Sequence, residues 1–311
     1  MSTKNRRQLL TLVGSAGAAA YLEVPAYASA QPSDAPAEFD SSFFTDTHLQ
    51  PELNANAGCA MAFSRMRSHE VDFAIQGGDH IFDGLGVPKQ RLLSLFEMYD
   101  RTQQDLSLQV HHTFGNHDRL GVYPQSMQPG DSIYGKRYYE DDVGKTYYSF
   151  DHKGVHFIVL DSIGLTPVRA YEGRIDATQV AWLAADLNTQ PAAKLIIMSV
   201  YIPLVSAIDN YTPGPATPPA HHGNTVVNSS ELTQLFMGHN VLAVFQGHTH
   251  INERVDWHGV PYITSGAVSG NWWHGTRLGT PEGFTVVSIR GGRLSTHYET
   301  YGFQSVDPQN T

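Results

Sequence analysis

The sequence predicts an α/β (α+β) protein. The expected architecture is a four-layer α/β/β/α sandwich, with two mixed β-sheets face to face and helices on their outer sides. Three observations carry this expectation. Short apolar runs of strand length recur along the chain. They alternate with amphipathic segments at first and then follow one another through turns, the order of a sheet sandwich flanked by helices. No internal repeat or interdomain linker interrupts the series, so residues 39–302 read as one domain and 303–311 as a C-terminal tail.

Taken in order, Phe43-Phe44, residues 73–75, 108–110, 195–198 and 241–245 read as short buried strands. Cys59, Phe63 and Met66, spaced i, i+4 and i+7, mark a helix face, with the lone cysteine buried on it. Residues 147–152 and 155–160 flank Lys153-Gly154 and form a hairpin. Residues 176–187 form a helix that Asp176 caps with support from Gln179. Residues 228–238 form another, opened by Asn228 with Glu231 and stopped by Gly238. Residues 211–220 are a proline-rich loop. Residues 255–257, 262–264, 284–289 and 293–299 read as sheet strands, the last two joined at Gly291-Gly292.

The N-terminus reads as an address. Residues 1–30 carry Arg6-Arg7, an Ala/Gly-rich apolar stretch and the cleavage-like Ala28-Ser29-Ala30. This resembles a twin-arginine signal peptide and implies export through that translocase to the periplasm or medium. The apolar run is too short and interrupted to serve as a transmembrane anchor. Residues 31–38 read as a linker. The formal net charge is −10, and the first thirty residues are net basic, so the remainder is more acidic still. That balance, with no basic cluster beyond the N-terminus, argues against nucleic acid as a partner. One cysteine excludes an intrachain disulfide and a thiolate metal cluster.

Five short motifs carry the chemistry. They are Asp46-Thr47-His48, Gly78-Asp79, Gly115-Asn116-His117-Asp118, Tyr201-Ile202-Pro203 and Gly247-His248-Thr249-His250. Singly each is common; their joint occurrence in this order, after strand-like runs, is specific. Strand ends of an open α/β sheet can bring them to one edge. Carboxylate, imidazole and amide donors without thiolate suit Mn, Fe, Zn or Co better than Ca. Two such ions about 3.5–4 Å apart are what phosphoester hydrolysis needs.

The set resembles the calcineurin-like metallophosphoesterase superfamily, loosely its purple acid phosphatase and cyclic-nucleotide phosphodiesterase-like branch. The resemblance implies a centre of two divalent or mixed-valence ions that hydrolyses small phosphomonoesters or phosphodiesters with metal-activated hydroxide. Asp46, His48 and His250 would hold the first ion, Asp79 would bridge, and Asn116 and His248 would hold the second. His117 would act as acid or electrostatic stabiliser, oriented by Asp118. The family has His-x-Pro where this chain has Tyr201-Ile202-Pro203. Three readings follow: Tyr201 replaces the ligand, His221 or His222 supplies it, or the second site is weak. Tyrosine ionises at about pH 10, so only a strong Lewis acid would make it a phenolate. A weakened centre leaves open a non-catalytic metal- or phosphate-binding protein. Trp272 and Trp273 are either a substrate-pocket wall or packing beneath a loop.

Overall fold

A computed structural model describes residues 38–123, 127–212 and 223–311. The signal, most of the linker, and His221 and His222 lie outside the described residues. The first half comprises β1 (Phe39–Phe44), α1 (Ala55–Arg67), β2 (Phe73–Gln76), α2 (Lys89–Gln104), β3 (Val110–His112) and α3 (Arg137–Asp142). Next come β4 (Tyr148–His152), β5 (Val155–Leu160), β6 (Ile163–Leu165), β7 (Tyr171–Gly173), α4 (Ala177–Thr189) and β8 (Leu195–Val200). The remainder is α5 (Ile208–Tyr211), α6 (Ser229–Leu235), β9 (Asn240–Gln246), β10 (Glu253–Trp257), β11 (Val260–Thr264), β12 (Gly283–Arg290) and β13 (Arg293–Thr300).

Two large mixed sheets form, in the orders β13-β12-β1-β2-β3 and β10-β11-β9-β8-β5-β4, with β6-β7 as a small separate hairpin. Strand alternation divides the apolar side chains between layers. Phe43, Phe73, Ile75, Phe157, Ile197 and Phe245 share the core between the sheets. Their neighbours Phe44, Ala74, Ile158, Ile196 and Met198 belong to the core under the helices. Phe43 stacks on Phe245 across the sandwich at 5.2 Å. Strands buried on both faces read as continuous apolar runs, which is why they were visible in the sequence.

Local expectations meet three differences. β3 lies at Val110–His112 rather than 108–110. Its two histidines disguise it: His111 stacks on Phe150 at 3.5 Å and His112 bonds His80. Asp176 caps α4 by accepting from the Gln179 amide at 2.9 Å, as expected. Asn228 precedes α6 but makes no cap bond; its side chain instead accepts from the Ile175 amide and donates to the Ile175 carbonyl. The tail is docked: Phe303 is buried edge-on against Trp273, and Ser305 Oγ donates to the Trp273 carbonyl.

Candidate metal centre

The five motifs follow the ends of β1, β2, β3, β8 and β9. β1, β2 and β3 run parallel in one sheet, as do β8 and β9 in the other, so their carboxyl ends open onto one edge of the sandwich. Backbone bonds tie the loops together: the Asp46 amide donates to the Gly78 carbonyl at 2.9 Å, and the Gly247 amide to the Tyr201 carbonyl at 3.0 Å. Glycine is required where they touch. A Cβ on Gly115 would lie 2.1 Å from the Asp79 nitrogen. One on Gly78, at φ 124°, would lie 2.2 Å from the Tyr201 ring.

Asp46, His48, Asp79, His248 and His250 all adopt left-handed backbone, with φ between 39° and 72°. Each such non-glycine residue costs roughly 1–2 kcal/mol, so the surrounding bonds must hold them there.

Asp46 is fully buried. Its Oδ2 accepts from Thr45 Oγ1 at 2.7 Å and from the His248 amide at 3.1 Å. Its Oδ1 faces His250 Nε2 at 3.2 Å and His48 Nε2 at 3.7 Å. Asp79 accepts from the His117 amide through Oδ1 at 2.8 Å, and its Oδ2 lies 3.6 Å from His48 Nε2. His250 Nδ1 donates to the Gly270 carbonyl at 2.6 Å, which fixes its tautomer and leaves Nε2 with a lone pair. That atom is 3.1 Å from His48 Nε2. Two imidazole nitrogens and two carboxylate oxygens thus converge in a buried space, and one cation satisfies all of them.

Asp46, His48 and His250 form one ligand cluster; His48, Asp79 and His117 form an overlapping one. Asn116 is buried with neither Oδ1 nor Nδ2 bonded, the state of an amide awaiting a cation. His248 Nε2 donates to the Gly223 carbonyl at 2.8 Å, leaving Nδ1 as its lone-pair atom. Asp46, His48, Asp79 and His250 therefore suit a metal ion, and Asn116 and His248 offer further donor atoms for a second.

Electrostatics agree. Burial opposes ionisation of Asp46, but His250 and His48 hold it well below the usual carboxylate range. Burial pushes Asp79 well up, and the charges of Asp118 and Asp46 add to this despite His117. A cation would relieve that strain. Burial lowers His48 and His248 to about 4, so both are neutral, as ligands must be.

Tyr201 is buried, and its oxygen lies 2.6 Å from Asp46 Oδ1 and in hydrogen-bond contact with Asp79 Oδ2, so its single proton serves one carboxylate at a time. Burial and those two carboxylates push the phenol well above its ordinary value, so in this state it is a neutral donor between candidate ligands.

Two expectations are corrected. Asp118 does not orient His117. Its carboxylate accepts from His80 Nδ1 at 2.7 Å and from the amides of Asp79, His80 and Gly115. The acid beside His117 is Asp83, 3.6 Å from Nδ1. Burial would lower His117, but Asp79, Asp83 and Asp118 outweigh it and raise it to about 9. Nor does Trp273 line a pocket: it is buried, and its Nε1 donates to the carbonyls of Thr47 and His48, both at 3.1 Å. Trp272 does reach the site, 4.3 Å from the His250 ring and 5.7 Å from that of His48.

A cavity of about 260 Å³ opens over the cluster, lined by Asp79, His117, Tyr171, Tyr201, His248, His250, Trp272 and Arg277 among others. Hollows of about 480 and 540 Å³ lie elsewhere and gather no ligating set. Sequence reasoning missed Asp83, His80 and Arg277. Asp83 had a signal, an acid four residues beyond Asp79 and just before Gly84.

A two-sheet sandwich with carboxylates and imidazoles at one edge defines a class of metal-dependent phosphoesterases. Residues 43–252 match the calcineurin-like phosphoesterase family, and the chain belongs to it. Purple acid phosphatase 21 of Arabidopsis thaliana is 35% identical over 128 residues, 39% of this chain. The match spans 26% of that relative's length. The fold is shared with a dimetal phosphatase from Danio rerio, at TM-score 0.64 and 15% identity over 86% of this chain and 98% of that one. It is shared also with purple acid phosphatase from yellow lupin (Lupinus luteus) seeds, at 0.54 and 13% over 89% and 53%.

Proposed function

We propose that this protein hydrolyses small phosphomonoesters or phosphodiesters at a two-metal centre. The observation that carries the reading is the buried convergence of His48 Nε2, His250 Nε2 and the carboxylates of Asp46 and Asp79. Asp46, His48, Asp79 and His250 would hold the first ion, and Asp79, Asn116 and His248 the second. When bound, the ions supply activation of water and neutralisation of charge on the phosphoryl oxygens. His117 lies against this cluster with Asp83 3.6 Å from its Nδ1, and its imidazolium would give a proton to the leaving oxygen. Asp83 stabilises that charged form. The acidic chain and the modest cavity support small soluble substrates.

The test is hydrolysis of p-nitrophenyl phosphate and bis(p-nitrophenyl) phosphate by protein loaded with Mn, Fe, Zn or Co and by chelated protein. Turnover with metal only is expected. Bound metal without turnover of either ester would favour a second reading, a metal- or phosphate-binding protein. Tyr201 is the observation behind that alternative, since it stands where the family places a ligand. The N-terminal segment supports export through the twin-arginine translocase. Protein recovered from the periplasm should begin after Ala30, and an uncleaved chain there would contradict this.

A further inference from the structure

Arg277 lines the metal cavity but takes no part in the chemistry above. Its Cζ lies 5.7 Å from the Trp272 ring, and its Nε is buried without a hydrogen-bond partner. Its guanidinium forms no ion pair with any described residue, in a chain where 30 acidic residues face 20 basic ones. Such a cation would ordinarily find a carboxylate; the only one among the described residues lining this cavity is Asp79, already engaged by Tyr201 and His117.

The backbone that carries Arg277 is also held in place. Residues 277–280 close a two-residue turn, with Leu278 at φ 47° and Gly279 at φ 76°. The Arg277 amide donates to the Thr280 carbonyl at 2.9 Å, and the Thr280 amide returns to the Arg277 carbonyl at 2.8 Å. The docked tail braces this turn: Thr276 donates to Asn310 Oδ1 at 2.8 Å, and the Gly279 amide to the Thr311 carbonyl at 2.9 Å. An anchored backbone and the Trp272 ring limit where the guanidinium can reach, which lowers the ordering cost of meeting an anion at the cavity.

Trp272 sets the distance. It packs on His250 and also carries Arg277, so the guanidinium stands one indole away from the ligating imidazoles rather than over them. We propose that Arg277 binds a second anionic group of the substrate, a carboxylate or a further phosphoryl, so that the site selects phosphoesters carrying such a group. Here Arg277 is a specificity residue, and the proposal rests on the phosphoester reading above. Tyr171 on the same cavity, raised by burial to about 12, stays neutral and does not compete for the cation.

The test is calorimetric binding of two non-hydrolysed probes, 4-carboxyphenylphosphonate and 4-methylphenylphosphonate, to metal-loaded wild type, Arg277→Gln and Arg277→Lys. The wild type should prefer the carboxylate probe roughly tenfold, as for one charge-assisted bidentate contact. Arg277→Gln should level the two probes without changing metal content or affinity for the methyl probe. Arg277→Lys, which keeps the charge but loses the fork, should retain part of the preference. Equal binding of both probes by the wild type, or a preference that survives in Arg277→Gln, would overturn the role of Arg277 alone. Failure of both probes to bind metal-loaded wild type would overturn the phosphoester reading together with it.

Discussion

Tyr201 sits between Asp46 and Asp79, its hydroxyl in hydrogen-bond contact with both carboxylates. The family uses an imidazole here, and a neutral phenol is a far weaker metal ligand than imidazole until it loses its proton, which burial and the two carboxylates oppose. The first site, made by Asp46, His48, Asp79 and His250, needs no help from Tyr201; the second does. Two unequal metal affinities should follow, and Tyr201→His should tighten the weaker and raise activity at limiting metal. Titration of apo-protein with Mn or Zn checks this, and two equal tight sites in the wild type would contradict it. His117 offers a second residue-scale prediction. In metal-free protein its imidazole should titrate near 9 by NMR, because Asp79 and its neighbours favour the charged form. Its acid form is complete below the ordinary imidazole value and lost as pH rises through about 9. Metal loading neutralises Asp79 and should lower that value. Replacement by Ala should reduce turnover by roughly 10²–10⁴-fold with metal retained, the range for a lost acid. An unchanged rate would remove His117 from the chemistry. The candidate ligands were legible at this scale because each motif is a short contiguous string. Asp83 and His80 were not, because their roles come from facing His117 and Asp118, some thirty-five residues away, through the packing of β2 against β3.

At the scale of elements, strands end in candidate ligands because buried parallel strands must stop where polar side chains begin. Helix α2 carries a regular stripe of Leu92, Leu95, Phe96 and Tyr99 but falls outside the expected elements, its polar residues having hidden the periodicity. The loop after β11 was readable only as aromatic-rich. Its two indoles do opposite jobs: Trp272 faces the cavity, and Trp273 plugs the core against Gly58 and Phe303 and holds the Thr47-His48 backbone. Sequence cannot tell adjacent tryptophans apart when both stand at positive φ in a turn. Trp273→Ala should therefore cost about 3–5 kcal/mol in urea unfolding, the range for a buried aromatic, and lower first-site metal affinity by releasing His48. A variant as stable as wild type would mean the plug is dispensable.

For the whole molecule, the sandwich is what makes five scattered strings one site. Each sheet delivers parallel strand ends to the same edge, and the core between Phe43 and Phe245 fixes their separation. Left-handed backbone at five site residues is held by that frame. This two-sheet fold was legible from the order of apolar runs. The placement of Arg277 on the cavity was not, because it depends on a loop whose course only tertiary contacts decide. The most direct test of the account is the anomalous X-ray scattering of crystals of Mn-loaded protein. A full peak is expected among Asp46, His48, Asp79 and His250, with a weaker one about 3.5–4 Å away on the Asn116 and His248 side of Asp79. A map with no peak inside that cluster, from protein that binds Mn in solution, would contradict it.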